Sequence, residues 1–163
     1  MAINSFRELE KKVNACVETA MTKTRDIIFK IVSQKVLDYY QEEVFPNWNG
    51  GYSNTPAVYQ RTGTLMESLS ASHITRNGSH FEFTVGFDDD YLTFRYPGNP
   101  RWKKNIPATG RDVLTWFNDK SHGGTVDGSH KFWDEAIEEI DSQYGSVGEL
   151  FLQNLKATGL PIN

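Results

Sequence analysis

The stretch Tyr59-Gln60-Arg61-Thr62-Gly63-Thr64-Leu65, which continues to Ser68 and Leu69, marks the point where the periodicity of the chain changes. Before it, apolar residues recur at the steps of three and four that are typical of a helix; after it, they alternate as in a strand. Gly63 can adopt backbone angles that other residues avoid, and Arg61 offers a rigid fork of hydrogen-bond donors. The stretch therefore predicts a joint between a helical part and a sheet-forming part.

The residues before the joint predict a long amphipathic helix. Ser5 and Glu8 form a capping box, which satisfies free backbone N–H groups at a helix start. No glycine or proline interrupts the pattern before Pro46, so a helix is expected within residues 1–45, either continuous or broken. Its apolar stripe consists of Phe6, Leu9, Val13, Cys16, Val17, Ala20, Thr24, Ile27, Ile28, Ile31 and Val32.

The residues after the joint predict a small antiparallel sheet. Asn77-Gly78 is a typical hairpin turn, and apolar residues alternate with polar ones over residues 81–87, as in a half-buried strand. Residues 91–96 are a candidate third strand. The run Asp88-Asp89-Asp90 is interpreted as a solvated turn, because consecutive carboxylates do not converge on one cation.

The C-terminal part predicts a short helix, a second helix, and a last helical segment that either continues the second with a kink or starts anew. Thr109 with Asp112 and Ser146 with Glu149 form capping boxes at the starts of the first and the last. The middle helix is expected from about residue 130 to residue 144. Its outer face is strongly acidic and carries Asp134, Glu135, Glu138, Glu139 and Asp141.

These patterns predict an α+β fold with a long N-terminal helix, a small antiparallel β-sheet with a hairpin, and C-terminal helices packed on the sheet. A chain of 163 residues is the size of one domain, so a single domain over residues 1–163 is expected. Its parts are the N-terminal helix (1–45), an aromatic and glycine-containing loop (46–58), the motif and hairpin region (59–96), and loops with C-terminal helices (97–163).

Composition excludes several classes of protein. A net charge of -4 argues against a protein that holds nucleic acid by neutralising phosphates. A single cysteine, Cys16, allows no intrachain disulfide, and its place on the apolar stripe favours burial over reactivity. The apolar runs are far shorter than the roughly 20 residues of a membrane span, and no export signal precedes them, so a cytoplasmic protein without a membrane partner is expected.

The strongest candidate for chemistry is the glycine-rich segment 121–130. His122, Asp127 and His130 are possible metal ligands, but none of them is paired one turn apart on a helix, and no lysine follows the glycines as in a phosphate-binding loop. No nucleophile-elbow motif is present. Neither an enzyme nor a cofactor is therefore expected. The enzymatic alternative is a metal-dependent nuclease or hydrolase that uses His122 and His130. If the protein kept its activity after substitution of both histidines, this alternative would be excluded.

Two loops carry residue types that are enriched at protein interfaces. Trp48 and Tyr52 lie in the loop of residues 46–58. Their rings either bind a partner protein or pack on the protein's own core, and the sequence favours neither alternative. The second loop is basic and is expected to dock on an acidic neighbour or to remain solvated; it contains Arg101, Trp102, Lys103 and Lys104.

The pattern Tyr-x-Arg-Thr-Gly-x-Leu-x-x-Ser, from Tyr59 to Ser68, resembles the signature of the tail-completion, or head-tail joining, proteins of long-tailed bacteriophages. The resemblance implies a small α+β virion subunit that forms a ring, usually a hexamer, in the phage neck. Its partners would be the head-closure or connector protein and the tail tube or tail terminator, after assembly in the host cytoplasm. Structural and interface roles are implied for Tyr59, Arg61, Thr62, Gly63 and Leu65.

In such a ring, the acidic helix of one subunit would meet the basic residues Arg101, Lys103 and Lys104 of the next, and a net-negative bore would let DNA pass without tight binding. The aromatic segment from Trp48 to Tyr52 and the basic loop depart from the compact pattern of the family. A phage-encoded module that inhibits a host protein is a further alternative, because an acidic surface can mimic DNA. A pull-down that returns a host protein rather than tail components would identify it.

Overall fold

The computed structural model describes residues 5–41, 64–92, 94–96, 106–119 and 131–162. The predicted α+β fold is confirmed, with a long N-terminal helix, short paired strands and C-terminal helices. The elements in chain order are α1 (Phe6–Gln41), α2 (Thr64–Ser68), β1 (Leu69–Ala71), β2 (Thr75–Asn77), β3 (His80–Glu82), β4 (Val85–Phe87), β5 (Phe94–Tyr96), β6 (Ile106–Ala108), α3 (Gly110–Asp119), α4 (Phe132–Tyr144) and α5 (Val147–Lys156).

Helix α1 is continuous over 36 residues, which decides between the two alternatives that the sequence left open. It begins where the capping box predicts, because Ser5 Oγ accepts the N–H of Glu8 at 3.2 Å. At about 1.5 Å per residue it is roughly 54 Å long. None of the described helices is long and apolar enough to cross a membrane.

The hairpin predicted at Asn77-Gly78 is present, but the strand predicted over residues 81–87 is divided into β3 and β4. Asn77 pairs with His80 and Thr75 with Glu82. Beyond β3, the N–H of Ser72 donates to the carbonyl of Thr84 at 2.8 Å. Two residues of one side of the hairpin, 73 and 74, therefore lie opposite a single residue of the other side, 83. This arrangement is a β-bulge. The bulge separates the pair β2–β3 from the pair β1–β4.

Contacts between Cα atoms divide the chain into two compact units. We call the residues Met1–Ile31, Ala71–Val85 and Ala136–Asn163 unit 1, and the residues Val32–Ser70 and Gly86–Glu135 unit 2. The expectation of a single domain remains a prediction.

In unit 1, α1 is joined by hydrogen bonds to α5 and to the hairpin. Thr24 is fully buried, and its Oγ1 accepts a hydrogen bond from Asn154 Nδ2 on α5 at 3.0 Å. Arg25 Nη1 donates to the carbonyl of Ser72 at 3.0 Å, while its Nε and Nη2 donate to Asp26 Oδ1. The buried apolar side chains among the described residues of this unit are Ala20, Ala136, Ile140, Leu150 and Leu155.

In unit 2, a helix packs on the strand β4, as the fold prediction requires. The ring of Phe87 on β4 lies 6.2 Å from the ring of Phe132 on α4, and 6.0 Å from that of Trp133 in an edge-on arrangement. Aromatic pairs at these separations add specific attraction to the burial of their surface. The pair β5–β6 of this unit is antiparallel, with Arg95 opposite Pro107.

The helix starts predicted at Thr109 and Ser146 are both confirmed. Asp112 Oδ2 accepts the N–H of Thr109 at 2.8 Å, and Thr109 Oγ1 accepts the N–H of Asp112 at 3.2 Å, so α3 begins with a reciprocal pair. The hydrogen bonds from Thr109 hold the pKa of Asp112 below its usual value. Ser146 Oγ accepts the N–H of Glu149 at 3.0 Å at the start of α5.

The start of α3 is also in close contact with the turn of the three aspartates. Asp88 Oδ1 accepts the N–H of Asp90 at 3.0 Å, which confirms that this run forms a solvated turn. Gly110 is buried against the backbone of Asp89, and a Cβ atom at this position would overlap the carbonyl group of that residue. The position therefore requires glycine because of space.

We expect Gly110→Ala to lower the free energy of unfolding by about 2 kcal/mol or more, because the clashing atoms belong to the backbone and cannot turn aside. The matched control is Gly148→Ala on α5, where a Cβ atom would lie 3.7 Å from Ser146 Oγ, an ordinary contact. Since alanine favours helices, the control should raise stability by roughly 0.5 kcal/mol. Urea denaturation measures both; equal effects would contradict the close approach.

We expect Thr24→Val to lower the free energy of unfolding by about 1–2 kcal/mol, because the amide of Asn154 loses its buried acceptor without any change in side-chain volume. The control is Thr19→Val on the same helix, where the hydroxyl is exposed and donates only to the carbonyl of Ala15. Its effect should stay within about 0.5 kcal/mol. Similar losses for both variants in urea denaturation would show that helix propensity, not this hydrogen bond, is responsible.

Candidate protein-protein interface

The end of the motif is a buried connection between α2 and β1. Leu65 is 5% exposed and Ser68 is 2% exposed. Ser68 Oγ donates to the carbonyl of Leu65 at 2.8 Å, so its hydroxyl satisfies a carbonyl of the short helix. The carbonyl of Ser68 in turn accepts the N–H of Asp88 at 2.8 Å. These bonds join the end of α2 to the residue that follows β4.

Leu65 is packed in the main apolar cluster of unit 2, together with Val36, Leu92 and Phe132. This position explains why the motif contains a large aliphatic residue at Leu65. An interface role for Leu65 remains a prediction. Tyr59, Arg61, Thr62 and Gly63 lie outside the described residues.

Sequence reasoning did not find a polar contact beside this connection. The hydroxyl of Tyr91 donates to Glu67 Oε2 on α2 at 2.8 Å, and this bond raises the pKa of Tyr91. Tyr91 is 51% exposed, so its ring borders solvent next to the end of the motif. The two residues are far apart in sequence, and no local pattern signals their pairing.

Helix α4 presents the acidic face that the sequence predicts. Asp134, Glu135, Glu138 and Asp141 are all exposed. Lys131 Nζ lies 3.8 Å from Asp134 Oδ2, and Glu139, which is half-buried, accepts a hydrogen bond from Gln143. Within the described part of the chain, the other three exposed carboxylates of this face form no ion pair.

The two later charges of this face, Glu138 and Asp141, do not stabilise the helix. Carboxylates favour the first turn of a helix and oppose the negative end of the helix dipole. Asp134 and Glu135 lie in the first turn of α4, but Asp141 lies in the last turn, which contains no basic residue. Glu138 is one turn from Asp134 and repels it. A cationic partner outside the described chain would offset this repulsion, so the acidic face is our candidate interface.

Several residues proposed from sequence lie outside the described part: Trp48, Arg101, Trp102, Lys103, Lys104, His122, Asp127 and His130. Among the residues that the structure describes, no group of three or more His, Cys, Asp or Glu side chains is arranged to hold a metal ion. Cys16 is half-buried, in agreement with its place on the apolar stripe.

The fold and this surface define a small α+β protein whose candidate site is an acidic helical face. The family model that matches the chain, over residues 5–157, is that of YomN. The chain belongs to the YomN family, and this membership indicates a bacteriophage origin. No curated protein and no solved structure matches the chain.

We expect the combination of Glu138→Gln and Asp141→Asn to raise the free energy of unfolding by roughly 0.5 kcal/mol, because it removes repulsion and an unfavourable charge at the helix end. The control is Asp134→Asn with Glu135→Gln, which removes charges that favour the first turn and should lower stability by a similar amount. Thermal unfolding followed by circular dichroism compares the two. Destabilisation by the first pair would mean that these carboxylates have partners within the monomer.

Proposed function

We propose that this protein is a structural component of the phage neck, where copies form a ring between the head-closure complex and the tail tube. The motif from Tyr59 to Ser68 and the bacteriophage origin of the family support this assignment. The subunit makes and breaks no bond; it binds other copies of itself and the proteins above and below the ring. It would work in the virion, after assembly in the host cytoplasm.

The observation that carries the proposal is the exposed acidic face of α4, whose later carboxylates oppose the helix dipole. In a ring, the basic residues Arg101, Lys103 and Lys104 of the next copy would neutralise part of this face. Such a contact joins two different surfaces and therefore repeats from copy to copy until the ring closes. Electrostatic complementarity of this kind fixes the register and the choice of partner.

DNA has to pass through a neck ring without being held. A protein with a net charge of -4 repels phosphates, which suits a bore of this kind. Six copies are the stoichiometry that the resemblance implies. A bore lined mainly by lysine and arginine would contradict this part of the proposal.

We expect virions that carry a gold-labelled tag at the C-terminus of this protein to show label at the junction of head and tail in negative-stain images. Phage that lack the protein should produce filled heads and separate tails, because only the joint is missing. Purified wild-type protein added to such a lysate should restore joined particles, whereas the variant Glu138→Lys with Asp141→Lys should not.

The matched control for this complementation is Glu18→Lys with Asp90→Lys, which reverses two exposed acidic residues whose carboxylates form no ion pair within the described residues, and it should restore joining as the wild type does. Normal joined particles in the absence of the protein would contradict a neck role. So would a protein that stays monomeric at all concentrations and does not assemble on tail tubes.

A further inference from the structure

The start of α1 carries apolar side chains that the described chain does not cover. Phe6 is 84% exposed and Leu9 is 39% exposed, although the sequence places both on the apolar stripe of the helix. All of residues 5–12 are exposed. The capping box of Ser5 and Glu8 holds this first turn in helical geometry, so Phe6 is presented on an ordered helix. Exposed large apolar residues on such a helix indicate a binding surface.

A lysine lies beside this stripe. With 3.6 residues per turn, Lys12 lies one turn from Leu9 on one border of the stripe, whereas Lys11 lies on the opposite side of the helix. Both lysines are exposed, and within the described chain neither forms an ion pair. We call Phe6, Leu9 and Lys12 the arm patch. It combines an apolar surface with one positive charge.

The part of α4 that belongs to unit 1, from Ala136 onward, carries a patch of complementary character. Ile137 is 50% exposed, and Asp141, one turn further along the helix, is exposed and forms no ion pair within the described residues. We call Ile137, Glu138 and Asp141 the α4 patch. Both patches belong to unit 1 and both remain exposed there, so they do not cover each other within one chain.

We propose that the arm patch of one copy docks on the α4 patch of the next copy, with Phe6 and Leu9 against Ile137 and the Lys12 ammonium group beside the Asp141 carboxylate. This inference rests on the proposed ring and specifies a contact within it. The contact removes apolar surface from water on both sides and neutralises a charge that opposes the dipole of α4. Because the two patches differ, the contact is heterologous and can close a ring.

A pairing of two arm patches fits the charges less well. If two parallel α1 helices packed along their apolar stripes, Lys12 would face Glu10, which borders the stripe on its other side, and the Asp141 carboxylate that opposes the dipole of α4 would stay unpaired. Docking on the α4 patch pairs that carboxylate with Lys12. Charge complementarity therefore favours the heterologous contact between copies.

The single cysteine of the chain allows a direct test by cross-linking. In a full-length Cys16→Ala background, Leu9→Cys and Ile137→Cys are combined, and the protein is treated with a short bismaleimide. We expect a ladder of covalent oligomers on a denaturing gel, because every copy contributes both halves of the contact. The control combines Lys11→Cys with Ile137→Cys, which places the thiol on the opposite side of α1 and should give no ladder.

Other results would overturn the proposal. Dimers from Leu9→Cys alone would show that two arms pair with each other. Wild-type rings in negative-stain images without a ladder would exclude this contact and leave the neck assignment standing. Monomers in solution and in the presence of tail tubes would contradict both proposals.

Charge reversal tests the proposed ion pair by sedimentation velocity. Lys12→Glu and Asp141→Lys should each weaken self-association roughly tenfold, and their combination should recover most of the loss. Phe6→Ala should weaken it roughly 30-fold, because a buried aromatic anchor contributes most to such a contact. The control Lys11→Glu should change association less than about twofold. Equal effects of the two lysine variants, or no recovery in the double variant, would exclude the ion pair.

Discussion

The structure depends on a short series of side chains along α1 that are completely removed from solvent. Ala20 and Thr24 are buried in unit 1, and Val32 and Val36 are buried in unit 2. Apolar burial is the main favourable contribution to folding, and here one uninterrupted helix supplies it to both units. The hydroxyl of Thr24 is the exception, because a buried polar group needs a partner. Asn154 provides that partner from α5.

Close backbone approaches set the positions of the shorter elements. Gly110 lets α3 begin directly against the turn that contains Asp89. Ser68 links α2 to the end of β4 through its carbonyl and keeps its own hydroxyl satisfied within the helix. The strands themselves are three residues long, and such short pairs gain little from their own hydrogen bonds. Packing of Phe87 against the rings of α4 therefore adds to the stability of β4.

The surface has features that an isolated subunit does not need. The acidic residues at the end of α4 oppose the helix dipole, and apolar residues at the start of α1 remain in water. The charge that opposes the dipole costs the monomer some stability and the exposed apolar side chains add none, but both become favourable once a complementary surface covers them. The opposite characters of the two surfaces are the physical basis of the copy-to-copy assembly that we propose. This view is consistent with the bacteriophage origin of the family and with the motif at the joint.

Much of the local structure followed from sequence, because the interactions that decide it span only three or four residues. The capping boxes at Ser5, Thr109 and Ser146 each consist of a side chain and an N–H group three residues away. The turn at Gly78 follows from the positive φ of 63° that glycine tolerates. The acidic face of α4 could be listed directly, since helical periodicity places those residues together. These signals predicted the α+β class and the candidate face.

Contacts between distant parts of the chain were not accessible from sequence alone. No pattern relates Thr24 to Asn154 or Gly110 to Asp89, because any of many polar or small residues could occupy such positions. The continuous path of α1 and the bulge in the hairpin were likewise decided by packing. The periodicity of α1 also cannot distinguish Phe6 from Val32, although one is 84% exposed and the other fully buried. Sequence fixes which residues can face a partner, and only the tertiary structure decides which of them the protein itself covers, because burial depends on what packs opposite each side chain.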